Sequence, residues 1–349
     1  MKNSLLIFGA FVLLGTWLPK QAEAQVAARD TADLTNNFYD NETVMPLPMV
    51  TLSVDGEIAN PGVVDFSKLP IHSVIVKETK LNPDGSNTFE GAYRYDGYSL
   101  FDILNKVKLQ KKNGKDFAPI IDLYIEVSND KGEKVILSWG ELYYPNNLQN
   151  IIIANAVMRI VPSKTMELWP LPETSKLVVP LDLLTARNIS NPSKITIRSI
   201  DATFKVQKGL SPMFSESFKL TAENGKEVVI KEISKELSKI TYHSIFYGRG
   251  RGIHSTTPFT GYVLKEVMEP YYTLAKENIQ HGLFVFAGFD GYRVAMTYAE
   301  LFNRNDQAEF LLLNDQSDKD GGCFKIFPAC DFFSDRAVKS LKEVRFERR

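Results

Sequence analysis

Cysteine is almost missing from this 349-residue chain: only Cys323 and Cys330 occur, six residues apart. That excludes a disulfide-dense scaffold, and C-x₆-C with no histidine nearby is not a zinc spacing. Histidine is just as scarce, with four in the chain. There is no G-x-S-x-G turn, so a serine-hydrolase triad has neither its nucleophile elbow nor much choice of base. No charge predominates: 41 basic against 42 acidic side chains give −1. Such a balance makes no global field that would gather nucleic acid or an anionic membrane. A G-x-x-x-x-G-K-[ST] phosphate loop is absent. Gly248-Arg249-Gly250-Arg251-Gly252 is not a dinucleotide fingerprint, because no G-x-G-x-x-G leads a strand into a helix.

The one long apolar run is at the start, from Leu5 to Leu18, behind Lys2 and ahead of Ala22-Glu23-Ala24. A charged start, a short apolar stretch and a small-x-small end have the order of a cleavable signal peptide, residues 1–24. No arginine pair precedes the run, which points to unfolded export rather than the twin-arginine route. The expected location is therefore periplasmic or secreted, with no transmembrane segment after cleavage. In an oxidising compartment Cys323 and Cys330 most simply form one local disulfide, two buried thiols being the other reading.

After an irregular lead-in over residues 25–48, two segments echo each other. Gly97-Tyr98-Ser99-Leu100 and Gly261-Tyr262-Val263-Leu264 each open a short amphipathic helix. Gly132 to Leu142 aligns with Gly291 to Leu301, and the same 159-residue offset carries Ile151–Asn155 onto Phe310–Asn314 without a gap. Asp182 and Arg187 recur as Asp331 and Arg336, each pair with four residues between its members, which suggests a structural role as a turn held by its arginine. β-Branched and aromatic runs at 124–127, 134–137, 283–286 and 293–296 read as strands. The expectation is an α+β chain of strand-rich mixed sheets with short helices, built as two repeats. These cover residues 49–204 and 216–349, joined by a Gly- and Pro-broken linker at 205–215.

The most unusual stretch runs from Tyr242 to Thr257. Its alternate glycines allow close backbone approach to a ligand, and Arg249 and Arg251 are fork-shaped donors for carboxylate or phosphate. With His243, Tyr247 and His254 they make a candidate pocket for a small anion. Asp290, Tyr292 and Arg293 join it, because they replace Lys131, Glu133 and Lys134 of the first repeat and so differ chemically at one place. No metal set is expected, since His243 and His254 lack a third ligand at regular spacing.

Val54-Asp55-Gly56-Glu57-Ile58-Ala59-Asn60-Pro61-Gly62, with Phe66-Ser67-Lys68-Leu69-Pro70 after it, resembles the opening of sulfite-oxidase-like molybdopterin-binding domains. Phe89-Glu90-Gly91 with Gly97-Tyr98-Ser99-Leu100, and Asp290-Gly291-Tyr292 with Glu300-Leu301, are similar to that family's later motifs. The resemblance implies a tandem copy of that fold, with the pterin pocket opening near the Tyr242–Thr257 stretch. It departs where the family places its molybdenum-ligating cysteine: residues 73–79 and 241–247 contain none. Imidazole does not replace a soft thiolate without changing the metal chemistry. The expected role is a non-catalytic binding protein for a small anionic ligand or an envelope partner, with no cofactor. The alternative is a periplasmic molybdopterin-dependent oxidoreductase with an altered ligand set.

Overall fold

A computed structural model describes residue 39 and residues 42–201, 204–319 and 321–349. The signal segment 1–24 and most of the lead-in lie outside the described residues. Strands take 41% of the chain and helices 11%, which makes this a strand-rich α+β protein. Among the described residues no helix exceeds six residues, and none is long and apolar enough to cross a membrane.

The first half contributes ten strands. They are β1 (Met45–Pro46), β2 (Ser53–Gly56), β3 (Gly62–Val63), β4 (His72–Leu81) and β5 (Asn87–Ser99), then β6 (Leu123–Asn129), β7 (Lys134–Ser138), β8 (Ile152–Arg159), β9 (Lys176–Val178) and β10 (Pro192–Ser199). The second half adds β11 (Phe218–Thr221), β12 (Glu227–Ile230), β13 (Lys239–Tyr242), β14 (Phe246–Gly248), β15 (Gly252–Ser255) and β16 (Phe259–Val263). It closes with β17 (Gly282–Gly288), β18 (Arg293–Thr297), β19 (Phe310–Asn314), β20 (Phe324–Pro328) and β21 (Leu341–Arg348). Four larger sheets result, arranged like the blades of a four-bladed propeller.

The strand order repeats between the halves. One sheet of the first half runs β3-β2-β10-β6-β7, and its counterpart runs β12-β11-β21-β17-β18. In each, one parallel pair (β2 with β10, β11 with β21) sits among antiparallel neighbours. The other two sheets are β1-β8-β5-β4, with β9 on β8, and β13-β16-β19-β20. The hairpin β14–β15 has no counterpart in the first half.

Alternation explains the faces. Along β5 every second residue from Gly91 to Ser99 is buried, as expected for a strand with one wet face. β6, β7, β17 and β18 are almost wholly buried, because both faces are covered. The core of the second half takes in Phe117, Ile121, Tyr144 and Leu184 from the first. A smaller cluster, Tyr124, Ile136 and Ile200 against Leu283, Val285 and Ala295, is shared equally. The first half also has buried clusters of its own, a large one that includes Leu52, Leu123, Val135 and Ile195 and a smaller one around Tyr95 and Val157, so the halves keep their own cores and are joined through the shared clusters.

At their junction the recurring Asp and Arg meet. Arg187 grips Asp182 through Nε and Nη2 at 2.8 and 2.7 Å and reaches Glu141 at 2.8 Å. Arg336 grips Asp331 at 2.8 Å through the same two nitrogens, and its Nη1 binds Glu300. Both glutamates close capping boxes, on the helices Trp139–Tyr143 and Tyr298–Phe302, with Ser138 and Thr297 as the caps. Each cap hydroxyl also reaches across. Thr297 donates to Glu141 at 2.9 Å, and Ser138 hydrogen-bonds Glu300. The backbone repeats the exchange, Leu183 donating to the Asn303 carbonyl and Phe332 to that of Tyr144, both at 2.7 Å.

Four carboxyls and two guanidiniums are out of water here. Such a set holds only while every member is paired, and removing one partner costs about 3–5 kcal/mol. Burial raises the pKa of Asp182 and Asp331, and it pushes Glu141 up to about 8 against the pull of Arg187. For Glu300 burial is outweighed by Arg336, and its pKa falls. Space is as tight as charge. A Cβ on Gly140 would lie 2.4 Å from Cδ of Arg336, so the guanidinium sits where a side chain would be.

Two outcomes are expected. Gly140→Ala overpacks Arg336 and lowers stability by about 1–3 kcal/mol in urea titration, with no loss of secondary structure before the transition. The second concerns pH. An ordinary glutamate gives up its proton near 4.5, whereas folded Glu141 holds it to about 8. The native state thus binds more protons between those values. Stability due to that proton is full below 4.5 and is lost as pH rises towards 8. Glu141→Gln should flatten this slope, on the order of 3–4 kcal/mol between pH 5 and 8, as read by denaturation at each pH.

Candidate functional site

The glycine-alternating stretch forms the hairpin β14–β15, with Arg249 to Arg251 as its turn. It folds over the 3-10 turn Ser334–Arg336, next to the Asp290–Tyr292 turn that precedes β18. Between them lies a cavity of about 240 Å³, room for roughly eight waters at about 30 Å³ each. Phe246, His254, Asp290, Tyr292, Asp335 and Lys339 provide its wall chemistry.

Each wall group has a traceable position. His254 stacks on Phe246, ring centroids 4.8 Å apart. A Cβ on Gly248 would stand 2.9 Å from Nε2 of that imidazole, so glycine lets the two strands of the hairpin close around it. Tyr292 Oη donates to the Asp335 carbonyl at 2.5 Å, and burial raises its pKa, so the phenol remains a donor. Oδ1 of Asp290 accepts the Tyr292 amide at 2.9 Å, and Oδ2 of Asp335 accepts the Arg249 amide at 3.0 Å. Each acid thus spends one oxygen on holding its loop. The His254 ring nitrogens and Lys339 Nζ make no hydrogen bond or ion pair among the described residues.

Of the eight residues expected at the site, His254, Asp290 and Tyr292 line the cavity. Tyr247 backs it from outside, stacked 5.8 Å from Phe333 and edge-on to Phe332. Arg249 contributes its amide but not its guanidinium, and Arg251 and His243 are exposed away from the lining. Arg293 lies elsewhere. Its guanidinium is buried 3.1 Å from Asp122 and stacks on Phe117, 4.3 Å from the ring centroid, with Lys111 2.6 Å from the same carboxylate. Burial raises the pKa of Asp122 despite both cations. This is a tie between the halves rather than a ligand donor. Sequence reasoning missed Phe246, Asp335 and Lys339. Asp335 stands one residue before the recurring Arg336, and that was the only pointer to it.

The cysteines differ from expectation as well. Cys323 and Cys330 are free thiols, and the expected bridge does not form. Five residues of β20 lie between them, advancing about 3.3 Å each, which exceeds the 7 Å Cα limit for a disulfide. Cys323 donates to Asn314 at 2.9 Å, and loss of solvent pushes the Cys330 thiol up to about 12. Among the described residues no cluster of three or more His, Cys, Asp and Glu is arranged to hold a metal ion.

A thiol count follows from this arrangement. Protein unfolded in guanidinium without reductant should give two thiols per chain with a chromogenic disulfide reagent, and the native protein should react far more slowly. A count of zero after unfolding would show a bridge that this strand geometry forbids. Comparison with known proteins adds no relative: no protein-family model matches the chain, and no curated protein matches it.

Proposed function

We propose that this chain is a non-catalytic binding protein, exported to the periplasm or beyond, that takes a small anionic ligand in the cavity under the β14–β15 hairpin. One observation carries the reading. His254 and Lys339 face the cavity with their donors unspent, while Asp290 and Asp335 each have one oxygen committed to a loop amide. An anion seated between imidazole and ammonium gains charge-assisted hydrogen bonds from both. The remaining carboxylate oxygens suit hydroxyl or amine donors on the same ligand, and Phe246 and Tyr292 supply the apolar wall. A few convergent polar groups in a largely apolar concavity is the usual make-up of a small-molecule site.

The tandem sulfite-oxidase-like scaffold belongs to this proposal as the origin of the two halves. The repeated strand order and the repeated Asp-Arg-Glu junction support a duplicated unit. The molybdopterin reading finds less support. Residues 73–79 fall on β4 and its face, 241–247 on β13 and the start of the hairpin, and neither offers a thiol. Arg249, Arg251 and His243, the groups that would hold a pterin phosphate, are spread over an exposed turn.

The test is a thermal-shift screen of the full protein against small carboxylates, phosphate esters and amino acids. A binder at a hundred times its Kd should stabilise the fold by about 2.7 kcal/mol. His254→Ala and Lys339→Ala should each abolish the shift and leave the unliganded melting point within about a degree. A binder equally retained by both variants would remove the cavity from consideration. Molybdenum near one atom per chain in protein from its native host would overturn the non-catalytic reading.

A further inference from the structure

A second and larger opening of about 560 Å³ lies between the halves, on the solvent side of the buried Arg-Asp-Glu junction. Its first wall is β4, the last strand of the sheet β1-β8-β5-β4 and therefore an open edge. Its opposite wall carries Arg304 and Cys330, and its floor includes Asn150 and Leu181.

The direction of the free backbone groups on β4 can be read from two bonds. Thr79 uses its amide on Oγ1 of Thr185 at 3.1 Å and its carbonyl on the Thr185 amide at 2.9 Å, so both groups of Thr79 point away from β5. On the other side, the Ala92 carbonyl is taken by Ile160, so Ala92 faces β8 and Tyr93, paired with Val76, faces β4. By the period of two, Val74 and Val76 bond to β5, and Ser73, Ile75 and Lys77 turn their N–H and C=O groups outward. Thr185 closes the edge at Thr79. From Ser73 to Lys77, about 13 Å, nothing pairs with it among the described residues, and Ser73, Val74 and Ile75 line the cleft.

The floor carries the second, independent sign. Asn150 is only 8% exposed, lines the cleft, and its side-chain amide has no hydrogen-bond partner among the described residues. Its amide is reached from the cleft alone, so its donor and acceptor are offered to whatever enters there. Arg304 spends Nε and Nη2 on Asp306 and leaves Nη1 without a protein acceptor. An open backbone ladder beside two mostly buried, unspent donors describes a receptor for extended chain.

We infer that this cleft binds an extended peptide segment of a partner protein, which adds as a sixth strand along Ser73–Lys77. An acidic or amide side chain of that segment reaches down to Asn150 and Arg304. The backbone ladder supplies affinity, and the floor supplies selectivity for an acceptor at one position, the usual division of labour in strand addition. Exposed Ile75 favours an apolar neighbour beside it, and Lys77 and Lys80 favour a segment of negative charge. This site is separate from the hairpin cavity and does not depend on it.

Phage-displayed random decapeptides panned on the full protein provide the probe. Enriched peptides should carry Asp, Glu, Asn or Gln at one fixed position, and they should slow hydrogen exchange of the Ser73, Ile75 and Lys77 amides. Ile75→Pro removes an outward N–H on an edge strand, where proline is tolerated, and should weaken binding at least tenfold at an unchanged melting point. Asn150→Leu should erase the preference at the fixed position. Should Ile75→Pro fail to fold, the peptide itself decides. N-methylation of alternate residues in one register should abolish binding, and in the other register should leave it within twofold. Failure to enrich any sequence, or equal binding of both methylated forms, would overturn the proposal. So would a concentration-dependent dimer abolished by Ile75→Pro, which would give the edge to a second copy of this chain.

Discussion

The organisation of this protein depends on a charged junction that has no access to water. Arg187 and Arg336 each carry three duties: they clamp an aspartate five residues back, they neutralise the glutamate of a capping box, and they sit against the other half. Because Thr297 serves Glu141 and Ser138 serves Glu300, each helix start is completed by a group from the opposite half. A buried charge cluster of this kind contributes little net stability, since desolvation consumes most of the Coulombic gain. Its effect is on geometry. Any rotation of one half against the other would strand a carboxylate, so the blades have one permitted arrangement.

The symmetry is broken where the candidate chemistry lies. The first half has a plain turn between β4 and β5, and the second spends the equivalent stretch on β14–β15. That hairpin needs a glycine at 248 to admit His254, and it needs Asp335 to anchor its turn. Together these enclose a cavity under a hairpin that the first half does not have among the described residues. The inter-half cleft arises differently, from the meeting of the two halves, and its open edge belongs to the first. One half carries the added pocket and the other the free strand edge.

Much of the architecture was legible in the sequence. The gapless offset from Gly132 to Leu301 aligned β7 with β18 and β8 with β19, because buried strands leave uninterrupted apolar runs that duplication preserves. The recurrence of Asp182 and Arg187 correctly marked a structural pair, although it did not show that the pairs interlock. The site was legible only in part. His254, Asp290 and Tyr292 stood out through unusual neighbours, whereas Lys339 and Phe246 are ordinary residues whose importance comes from what folds over them. Arg293 misled because divergence between repeats looks the same whether a residue meets a ligand or the other half. The cysteine spacing misled because proximity in sequence says nothing of an intervening extended strand.

The reciprocal junction also bears on how the chain reaches its native state. Residues of the first half are made well before Thr297 and Glu300 exist, yet Glu141 cannot be fully satisfied without Thr297, 156 residues further on. Phe117, Ile121, Tyr144 and Leu184 likewise wait for a core that is not yet synthesised. Contacts this distant in sequence are slow to form, since loop closure must come before their reward. The first half can therefore bury its own clusters early, while its junction stays unpaired until nearly the whole chain is present.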